Sequence, residues 1–290
     1  MELDIFSHCA IDTISINDTN YIVPGGAACY CSLMAKILKF DVTLHTKFGP
    51  DFSLADYLSK KKILIKNALS EEPTTKFILK ILSSNRTLFL ENKCDVVNYT
   101  SLSSDSALIS PIFDEISNDT FEKIKKDANF VFLDPQGFLR RKDLENKIYL
   151  EKTDLNLSGV SAIKISPDEL ECLTNQHEDG GMKELQKKGI ENVILTDKQT
   201  ISLLSSDKIY TIELPNLELF DTTGIGDIFS ATFCCTMIKE NDILWALSFA
   251  GGAAQAALES SQIGLEKIPS KGAIETNAYY FYNTIKFRQI

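Results

Sequence analysis

The sequence has few of the residues that mark metal-binding or disulfide-stabilised proteins. It contains three histidines, at positions 8, 45 and 177, and no two of them stand at a metal-ligand spacing. The seven cysteines are odd in number and form no CxxC pair, and we interpret Cys29, Cys31, Cys234 and Cys235 as small core residues. Neither a zinc site nor a disulfide framework is favoured, and a reduced, cytoplasmic protein is expected.

Positive charge and long apolar runs are also scarce. Lys and Arg together number 30 against 40 Asp and Glu, a net charge of -10, whereas a nucleic-acid-binding surface would be basic. No apolar run reaches the ~18 residues that a membrane span requires, and the first residues lack the positive segment of a secretory signal. We therefore expect no nucleic-acid or membrane partner. An acidic protein can still bind a nucleotide, because a backbone nest and magnesium can hold the phosphates.

The second half of the chain alternates apolar strands with helical patterns. Strands are predicted at residues 130–133, 160–165 and 193–196, with a helix at residues 182–188 between the last two. This order predicts an α/β fold with a doubly wound, mostly parallel sheet and helices on both faces. Such folds often use about this length for one domain, so a single domain over residues 1–290 is expected. Ligands of these folds bind beyond the carboxyl ends of the strands.

The motif DTTGIGD, which begins at Asp221, carries the strongest chemical signal. Gly224 and Gly226 allow a turn with positive φ and a close approach of backbone N–H groups to a ligand. Helical spacing follows from Asp227, so these N–H groups lie at a helix start, which favours an anion. A carboxylate there suits a base that accepts a proton from an alcohol during phosphoryl transfer. The alternative is a capped helix start with Asp221 or Thr222 as the N-cap.

This motif resembles the DTxGAGD signature of the ribokinase (PfkB-type) sugar-kinase family, with Ile225 in place of the usual Ala. Gly25 and Gly26 match a second family motif, a glycine pair beside the sugar at the hinge of a lid. The resemblance implies ATP-dependent phosphorylation of a hydroxyl group on a small sugar or polyol, with Mg²⁺. The implied catalytic groups are Asp227 as the base and the backbone of Ile225, Gly226 and Asp227 as the anion hole, with Gly224 as a further catalytic residue.

The resemblance also implies the contacts of the nucleotide. Asp221 and Thr222 resemble positions near the triphosphate and, in some relatives, near a monovalent cation. Thr196 stands where the family often has Thr-x-Gly beside the nucleotide, but the Gly is missing here. Gly252 lies in a small-residue helix that resembles one bordering the adenine, where it would leave room for the base. Close helix packing is the alternative explanation of Gly252.

One acidic residue is a candidate for support of the metal. Glu169 matches the Glu of a family Asn-x-x-Glu motif that helps to hold Mg²⁺ through water, while Ser166 replaces the Asn. A hard cation suits an oxygen ligand at this edge of the sheet. Ser166 and Glu169 also form a capping-box pattern, which explains both residues without any function.

Two pairs of extended runs, near residues 13–23 and 73–100, have the pattern of hairpins. In the family such hairpins form a small β-sheet lid over the sugar, and the lid often pairs two chains. Exposed strands of this kind must be covered, which agrees with a homodimer formed through the lid.

The acceptor is predicted from a smaller set of polar residues. Asp12 follows a predicted first strand over residues 3–10, and Gln136 and Arg140 follow the strand at residues 130–133. Together with the compact lid they resemble archaeal myo-inositol kinases, and a polyol needs side chains that donate and accept. A ribokinase, fructokinase, ketodeoxygluconate kinase or nucleoside kinase is the alternative, as is a non-catalytic sensor. Asp12 as a turn former, and the other two as a surface loop, are the structural alternatives.

Overall fold

The structure, a computed structural model, describes residues 1–16, 19–82, 85–215 and 221–290. In chain order the strands are β1 (Glu2–Phe6), β2 (Ala10–Ile16), β3 (Thr19–Gly25), β4 (Asp41–His45), β5 (Ile63–Ile65), β6 (Thr75–Leu82), β7 (Asn85–Asn92), β8 (Ser106–Ile109), β9 (Phe130–Leu133), β10 (Arg140–Lys142), β11 (Ile148–Leu150), β12 (Ala162–Ile165), β13 (Asn192–Asp197), β14 (Thr200–Ser205), β15 (Lys208–Glu213) and β16 (Lys286–Gln289).

The helices follow the same numbering. They are α1 (Ala27–Ile37), α2 (Ala55–Lys60), α3 (Asn118–Asp127), α4 (Gln136–Leu139), α5 (Pro167–Thr174), α6 (Glu178–Lys187), α7 (Ile225–Glu240), α8 (Ile243–Leu258) and α9 (Lys271–Thr284), with a 3-10 helix at Gly264–Lys267.

A ten-stranded sheet forms the centre of the molecule, in the order β16-β15-β14-β13-β12-β9-β8-β1-β4-β5. The strands from β13 to β5 in this order run parallel, and β14, β15 and β16 add an antiparallel edge. Central strands such as β9 (FVFL) are almost wholly apolar because helices cover both of their faces.

Side chains of one strand alternate between two cores. In β9, Phe132 packs with α1 and α7 to α9, whereas Val131 and Leu133 pack with α3, α5 and α6 on the opposite face. This arrangement confirms the predicted doubly wound α/β fold. Cys29, Cys31, Cys234 and Cys235 are buried and free, as their interpretation as core residues requires. No helix within the described ranges is long and apolar enough to cross a membrane.

A separate four-stranded sheet has the order β3-β2-β6-β7. Two antiparallel hairpins, β2–β3 and β6–β7, are joined by a parallel pairing of β2 with β6. This is the small sheet predicted as a lid, and we call it the lid sheet. The residues between the strands of the two hairpins, 17–18 and 83–84, lie outside the described residues. Dimerisation through this sheet stays a prediction.

The predicted first strand over residues 3–10 is wrong in its second half. The chain leaves the central sheet after Phe6, because the backbone N–H of His8 donates to the buried carboxylate of Glu115 (3.1 Å) instead of to a neighbouring strand. The chain then enters the lid sheet at β2. Asp12 therefore lies within a lid strand and not just beyond the end of β1.

Candidate active site

A cavity of about 450 Å³ lies between the lid sheet and the central domain. The lid sheet contributes one wall, and the start of α1, the ends of β9 and β12 and the start of α7 contribute the other. Ligand sites of open α/β sheets are expected beyond the carboxyl ends of such strands. The predicted residues that line the cavity are Asp12, Gly26, Gln136, Arg140, Thr222, Gly224, Gly226 and Asp227.

Helix α7 begins at Ile225, with Gly224 as its N-cap residue. The alternative interpretation, in which Asp221 or Thr222 is the N-cap, is therefore wrong. Gly224 has φ 77°, and the ring of Tyr30 occupies the space that a Cβ there would need, so two separate constraints select glycine. The helix starts two residues before Asp227, which places this carboxylate in the first turn.

The first turn of α7 leaves few N–H groups for an anion. The N–H of Ile225 donates to the carbonyl of Thr222 at 3.4 Å, so this group of the predicted anion hole is already engaged. The N–H groups of Gly226 and Asp227 have no partner within the helix because the first turn lacks preceding carbonyls. Both residues line the cavity, where their N–H groups would favour a negative charge.

The carboxyl group of Asp227 is tuned toward neutral pH. Burial raises its pKa to about 6, and the negative charge of Asp134 acts in the same direction. The charges of Lys164 and Arg140 and a hydrogen bond from the Gln136 amide oppose this rise. A base with such a pKa is ionised above pH 6 and still holds a proton well, which suits general base catalysis.

Asp12 faces the same cavity from the lid sheet. Burial raises its pKa to about 7, and the charge of Asp227 adds to the rise. The backbone N–H of Gly26 donates to this carboxylate, and a Cβ on Gly25 would collide with it. The glycine pair therefore shapes the position of Asp12.

Gly26 was predicted to lie at the hinge of the lid. A Cβ on Gly26 would lie 2.5 Å from the carbonyl oxygen of His8, so a Gly26→Val variant would disturb the fold itself and would not test the hinge.

Gln136 and Arg140 both reach the cavity, which argues against the surface-loop alternative. The chain turns at the end of β9 into the single-turn helix α4, and this turn directs Gln136 toward Asp227. The Arg140 guanidinium is held by a hydrogen bond from Nη1 to the carbonyl of Ile112 (3.0 Å). The loop thus presents an amide and a positive charge beside two carboxylates.

Lys164 lies in the site but was not predicted. It belongs to β12, and its Nζ lies 2.6 Å from Asp134 Oδ2 and 2.9 Å from where a Cβ on Gly226 would be. Burial alone would lower the pKa of Lys164, but Asp134 and Glu169 outweigh it and hold the pKa above its ordinary value. A lysine within an otherwise apolar strand, AIKI, was the available signal.

The lid sheet is also tied to the motif loop. Arg86, at the start of β7, donates from Nη1 to the hydroxyl of Thr222, and both residues line the cavity. Arg86 had not been predicted as a site residue. Its guanidinium places a further positive charge at the mouth of the cavity.

Asp221 has a different environment from the one implied by the resemblance. Its Oδ2 lies 2.5 Å from Nζ of Lys267 and its Oδ1 accepts from the N–H of Thr223 (2.8 Å). Burial alone would raise the pKa of Asp221, but the hydrogen bond and charge of Lys267 hold it below its ordinary value. The Asp221 carboxylate does not line the cavity, so it is not placed to contact a triphosphate there.

Two further predicted cofactor residues lie away from the cavity. Thr196 donates to the carbonyl of Ile165 (3.2 Å) at the end of β13. Gly252 is packed against α9, since a Cβ there would lie 2.7 Å from the carbonyl oxygen of Ile274. Gly252 therefore leaves room for a helix and not for a base, which corrects the role predicted for it.

Glu169 completes the predicted capping box of α5. Its Oε2 accepts from the N–H of Ser166 at 2.7 Å, and the Ser166 hydroxyl accepts from the N–H of Glu169. Burial raises the pKa of Glu169, and Asp134 adds to the rise. Within the described part of the chain, no group of three or more His, Cys, Asp or Glu residues could hold a metal on its own.

A protein-family model described as pfkB family carbohydrate kinase matches residues 6–270. No curated protein sequence matches the chain. A pyrophosphate-dependent kinase in the ribokinase family, complexed with a pyrophosphate analog and myo-inositol, superimposes with TM-score 0.80 at 19% identity, covering 94% of this chain and 99% of that one.

Two ribokinases are also similar. The Arabidopsis thaliana ribokinase complexed with ribose and ATP has TM-score 0.75 at 15% identity, over 95% of this chain and 98% of that one. The Thermotoga maritima ribokinase has TM-score 0.77 at 16% identity, over 96% and 99%. At these identities the likeness shows the fold, while the family match extends over most of the sequence. The chain belongs to the pfkB family of carbohydrate kinases.

Proposed function

We propose that this kinase transfers a phosphoryl group to a hydroxyl of a small polyol, with myo-inositol as the best candidate. The observation that carries the proposal is the start of α7. There the Asp227 carboxylate, with a pKa of about 6, and the unpaired N–H groups of Gly226 and Asp227 share one cavity. A base and an anion hole in such proximity are what in-line phosphoryl transfer to an alcohol needs.

The described residues divide the chemistry among themselves. The acceptor hydroxyl lies between Asp12 and Asp227, and Asp227 accepts its proton as the oxygen attacks phosphorus. The bond from phosphorus to the donor's leaving oxygen breaks as the new bond forms. The N–H groups of Gly226 and Asp227, with the ammonium of Lys164, stabilise the negative charge on the phosphoryl oxygens. Arg140 and Gln136 orient the acceptor.

The donor in this proposal is ATP with Mg²⁺. Mg²⁺ is usually bound by one or two carboxylates, by phosphates of the substrate and by water, so the absence of a three-residue cluster in the described chain fits it. Glu169 would hold the ion through water with the carboxylate oxygen not used in the capping box. The ion would neutralise phosphate charge when bound.

Pyrophosphate is a second candidate donor, favoured by one observation. The backbone at Gly252, predicted to border an adenine, is covered by α9, with a hypothetical Cβ 2.8 Å from the N–H of Ala278. The structurally similar kinase of the ribokinase family complexed with a pyrophosphate analog and myo-inositol is pyrophosphate-dependent, which agrees with this candidate. We propose a direct comparison of ATP and pyrophosphate at equal Mg²⁺ and acceptor concentration. If pyrophosphate is the donor, it should support turnover and ATP should not inhibit competitively; turnover with ATP alone would remove this candidate.

The acceptor is tested with a panel measured side by side. myo-Inositol, ribose, fructose, ketodeoxygluconate and cytidine represent the classes that the family resemblance allows. We expect the highest kcat/KM with myo-inositol, because Asp12, Gln136 and Arg140 offer both donors and acceptors to adjacent ring hydroxyls. If another acceptor is phosphorylated and myo-inositol is not, the proposal of a kinase stands and the assignment of a cyclitol as its acceptor is rejected. Binding without phosphorylation for every acceptor and both donors would favour the sensor.

Gln136→Ala should separate acceptor binding from activation of the base. Loss of a buried hydrogen-bond partner costs ~1 to 3 kcal/mol, so kcat/KM for myo-inositol should fall roughly 5- to 150-fold at pH 8.5, with little change in the donor KM. The Gln136 amide also lowers the pKa of Asp227, so the acid limb of the pH profile should move to higher pH. Replacing myo-inositol with a deoxy analogue should lower kcat/KM less in the variant than in the parent.

The control for this variant is Gln186→Ala. It removes a similar amide, which lies on α6 away from the cavity and donates to the carbonyl of Ser206. Its kinetics should equal those of the parent. If Gln136→Ala leaves every acceptor unaffected at pH 8.5, Gln136 has no part in acceptor binding.

A further inference from the structure

Lys267 is a buried lysine that connects two distant segments of the chain. It ends the 3-10 helix Gly264–Lys267, and its side chain has no exposed surface. Its Nζ lies 2.5 Å from Asp221 Oδ2, 3.0 Å from the Asp221 carbonyl oxygen and 2.7 Å from the Thr223 carbonyl oxygen. The ammonium thus contacts three oxygens of the loop that leads into α7.

These contacts use the whole hydrogen-bonding capacity of the side chain. An ammonium has three N–H donors, and each has one oxygen acceptor here. Burial of an ion pair is costly even when its geometry is good, so general stability is a weak reason for this arrangement. Its position directly before Gly224 and the first turn of α7 points to a more specific role.

The contact to Thr223 fixes a peptide plane at the site. In a trans peptide the carbonyl of one residue and the N–H of the next point in opposite directions, and no described peptide bond is cis. Since the Thr223 carbonyl points to Lys267, the N–H of Gly224 points away from it. The same holds for the Asp221 carbonyl and the N–H of Thr222. Thr222 and Gly224 line the cavity, so the ammonium holds the loop from the side opposite the cavity.

We propose that Lys267 is a positioning residue whose ammonium takes the place of a bound monovalent cation, so that the loop is ordered for anion binding without one. Two carbonyl oxygens and a carboxylate oxygen around one small positive charge also suit K⁺ or NH₄⁺, which are similar in size. The kinetic part of this inference rests on the proposed function; the effect of cations on folding does not.

The parent enzyme gives the first test. Its activity and its Tm should be the same in KCl, NH₄Cl and tetramethylammonium chloride at equal ionic strength, because the place of the cation is already filled. Tetramethylammonium is too large to contact three converging oxygens. A parent enzyme that requires K⁺ for activity, or whose Tm rises specifically with K⁺, would overturn the proposal.

Lys267→Ala gives the second test, because it empties the space and leaves three oxygens facing one another. With buried acceptors unpaired, kcat should fall roughly 5- to 150-fold in tetramethylammonium chloride. NH₄Cl or KCl should restore part of kcat and raise the Tm. Lys267→Met fills the same space without charge, so it should show the loss and no rescue by either salt. The control is Lys188→Ala, which removes an ammonium bound to the Leu173 carbonyl elsewhere and should show no cation dependence.

The Tm of Lys267→Ala in the three salts decides the question even if the variant has too little activity for kinetics. If Lys267→Ala folds only in NH₄Cl or KCl, the cation has replaced the lysine and the proposal stands. If its Tm and kcat are equal in all three salts, Lys267 does not substitute for a cation and the proposal fails. If the parent phosphorylates nothing in the acceptor panel but the melting of Lys267→Ala depends on the cation, only the proposed function is rejected. The role of Lys267 proposed here then stands.

Discussion

Asp227→Asn is expected to remove nearly all turnover while leaving donor binding within a few-fold of the parent. The amide keeps the shape of the side chain but cannot accept the proton of the acceptor hydroxyl. Loss of a general base costs ~10² to 10⁴ in rate, and kcat and kcat/KM should fall together. The measurement is steady-state kinetics with the best acceptor, combined with calorimetric binding of the donor.

The same variant should be more stable than the parent at high pH. Burial raises the pKa of Asp227 to about 6, above the value of an unfolded Asp. The folded state therefore binds the proton more tightly, and the stability that this gives is lost as the pH rises from about 4 through 6. Asn carries no charge to bury, so its Tm should exceed that of the parent at pH 8 and approach it at pH 4.

The pH profile supplies a related check on the parent. Asp12 and Asp227 share one cavity and influence each other, so they should titrate as a coupled pair with apparent pKa values between about 6 and 7. Activity should therefore fall below this range and level off above it.

Asp242→Asn is the control for the Asp227→Asn variant. Asp242 caps the neighbouring helix α8, and Asn is an equally good cap, so this change should leave the kinetics of the parent unchanged. An Asp227→Asn enzyme with the parental kcat would remove Asp227 from the proposed role.

Lys164→Met is expected to give the second-largest loss. The ammonium lies beside Gly226, where charge would develop on the phosphoryl group, and Met fills a similar volume without charge. Removing one group aimed at a developing charge costs ~10² to 10³ in kcat. Lys164 also lowers the pKa of Asp227, so the acid limb of the profile should shift to higher pH. Lys164→Arg should recover part of the activity.

A second buried lysine provides the control for Lys164→Met. Lys125 on α3 donates to the carbonyl of Asn156 at 2.6 Å, away from the cavity. Lys125→Met should lower the Tm and leave the kinetics per folded molecule unchanged. If the two variants lose only stability, and to the same extent, Lys164 serves the fold and not the transfer of phosphate.

Much of the fold followed from local patterns in the sequence. Apolar strands of four to six residues alternate with helices in the second half, and this periodicity requires no knowledge of distant contacts. The glycines and acid of the DTTGIGD motif were recognisable for the same reason, because one turn contains them all. The boundary after Phe6 was missed, since it depends on Glu115, more than a hundred residues away in the sequence.

The residues missed at the site share a reliance on distant partners. Lys164 appears in the sequence as one charge in an apolar strand, and only the fold brings it to Asp134 and Gly226. Lys267 appears as one of many lysines, and its three oxygens come from residues 221–223. Gly252 shows the opposite error, because small residues in a helix serve close packing as readily as ligand binding.

The contact of Tyr30 with Gly224 has a consequence for how this enzyme could change its acceptor. The ring occupies the space beside Gly224, so a smaller residue at position 30 would loosen the catalytic turn as well as widen the pocket. The opposite wall comes from the lid sheet, where Ile14, Phe77 and Leu79 line the cavity, and none of them is among the atoms nearest to a Cβ on Gly224. Evolution or engineering of a new specificity would therefore proceed through lid residues, while the side of the pocket formed by α1 stays constrained by catalysis.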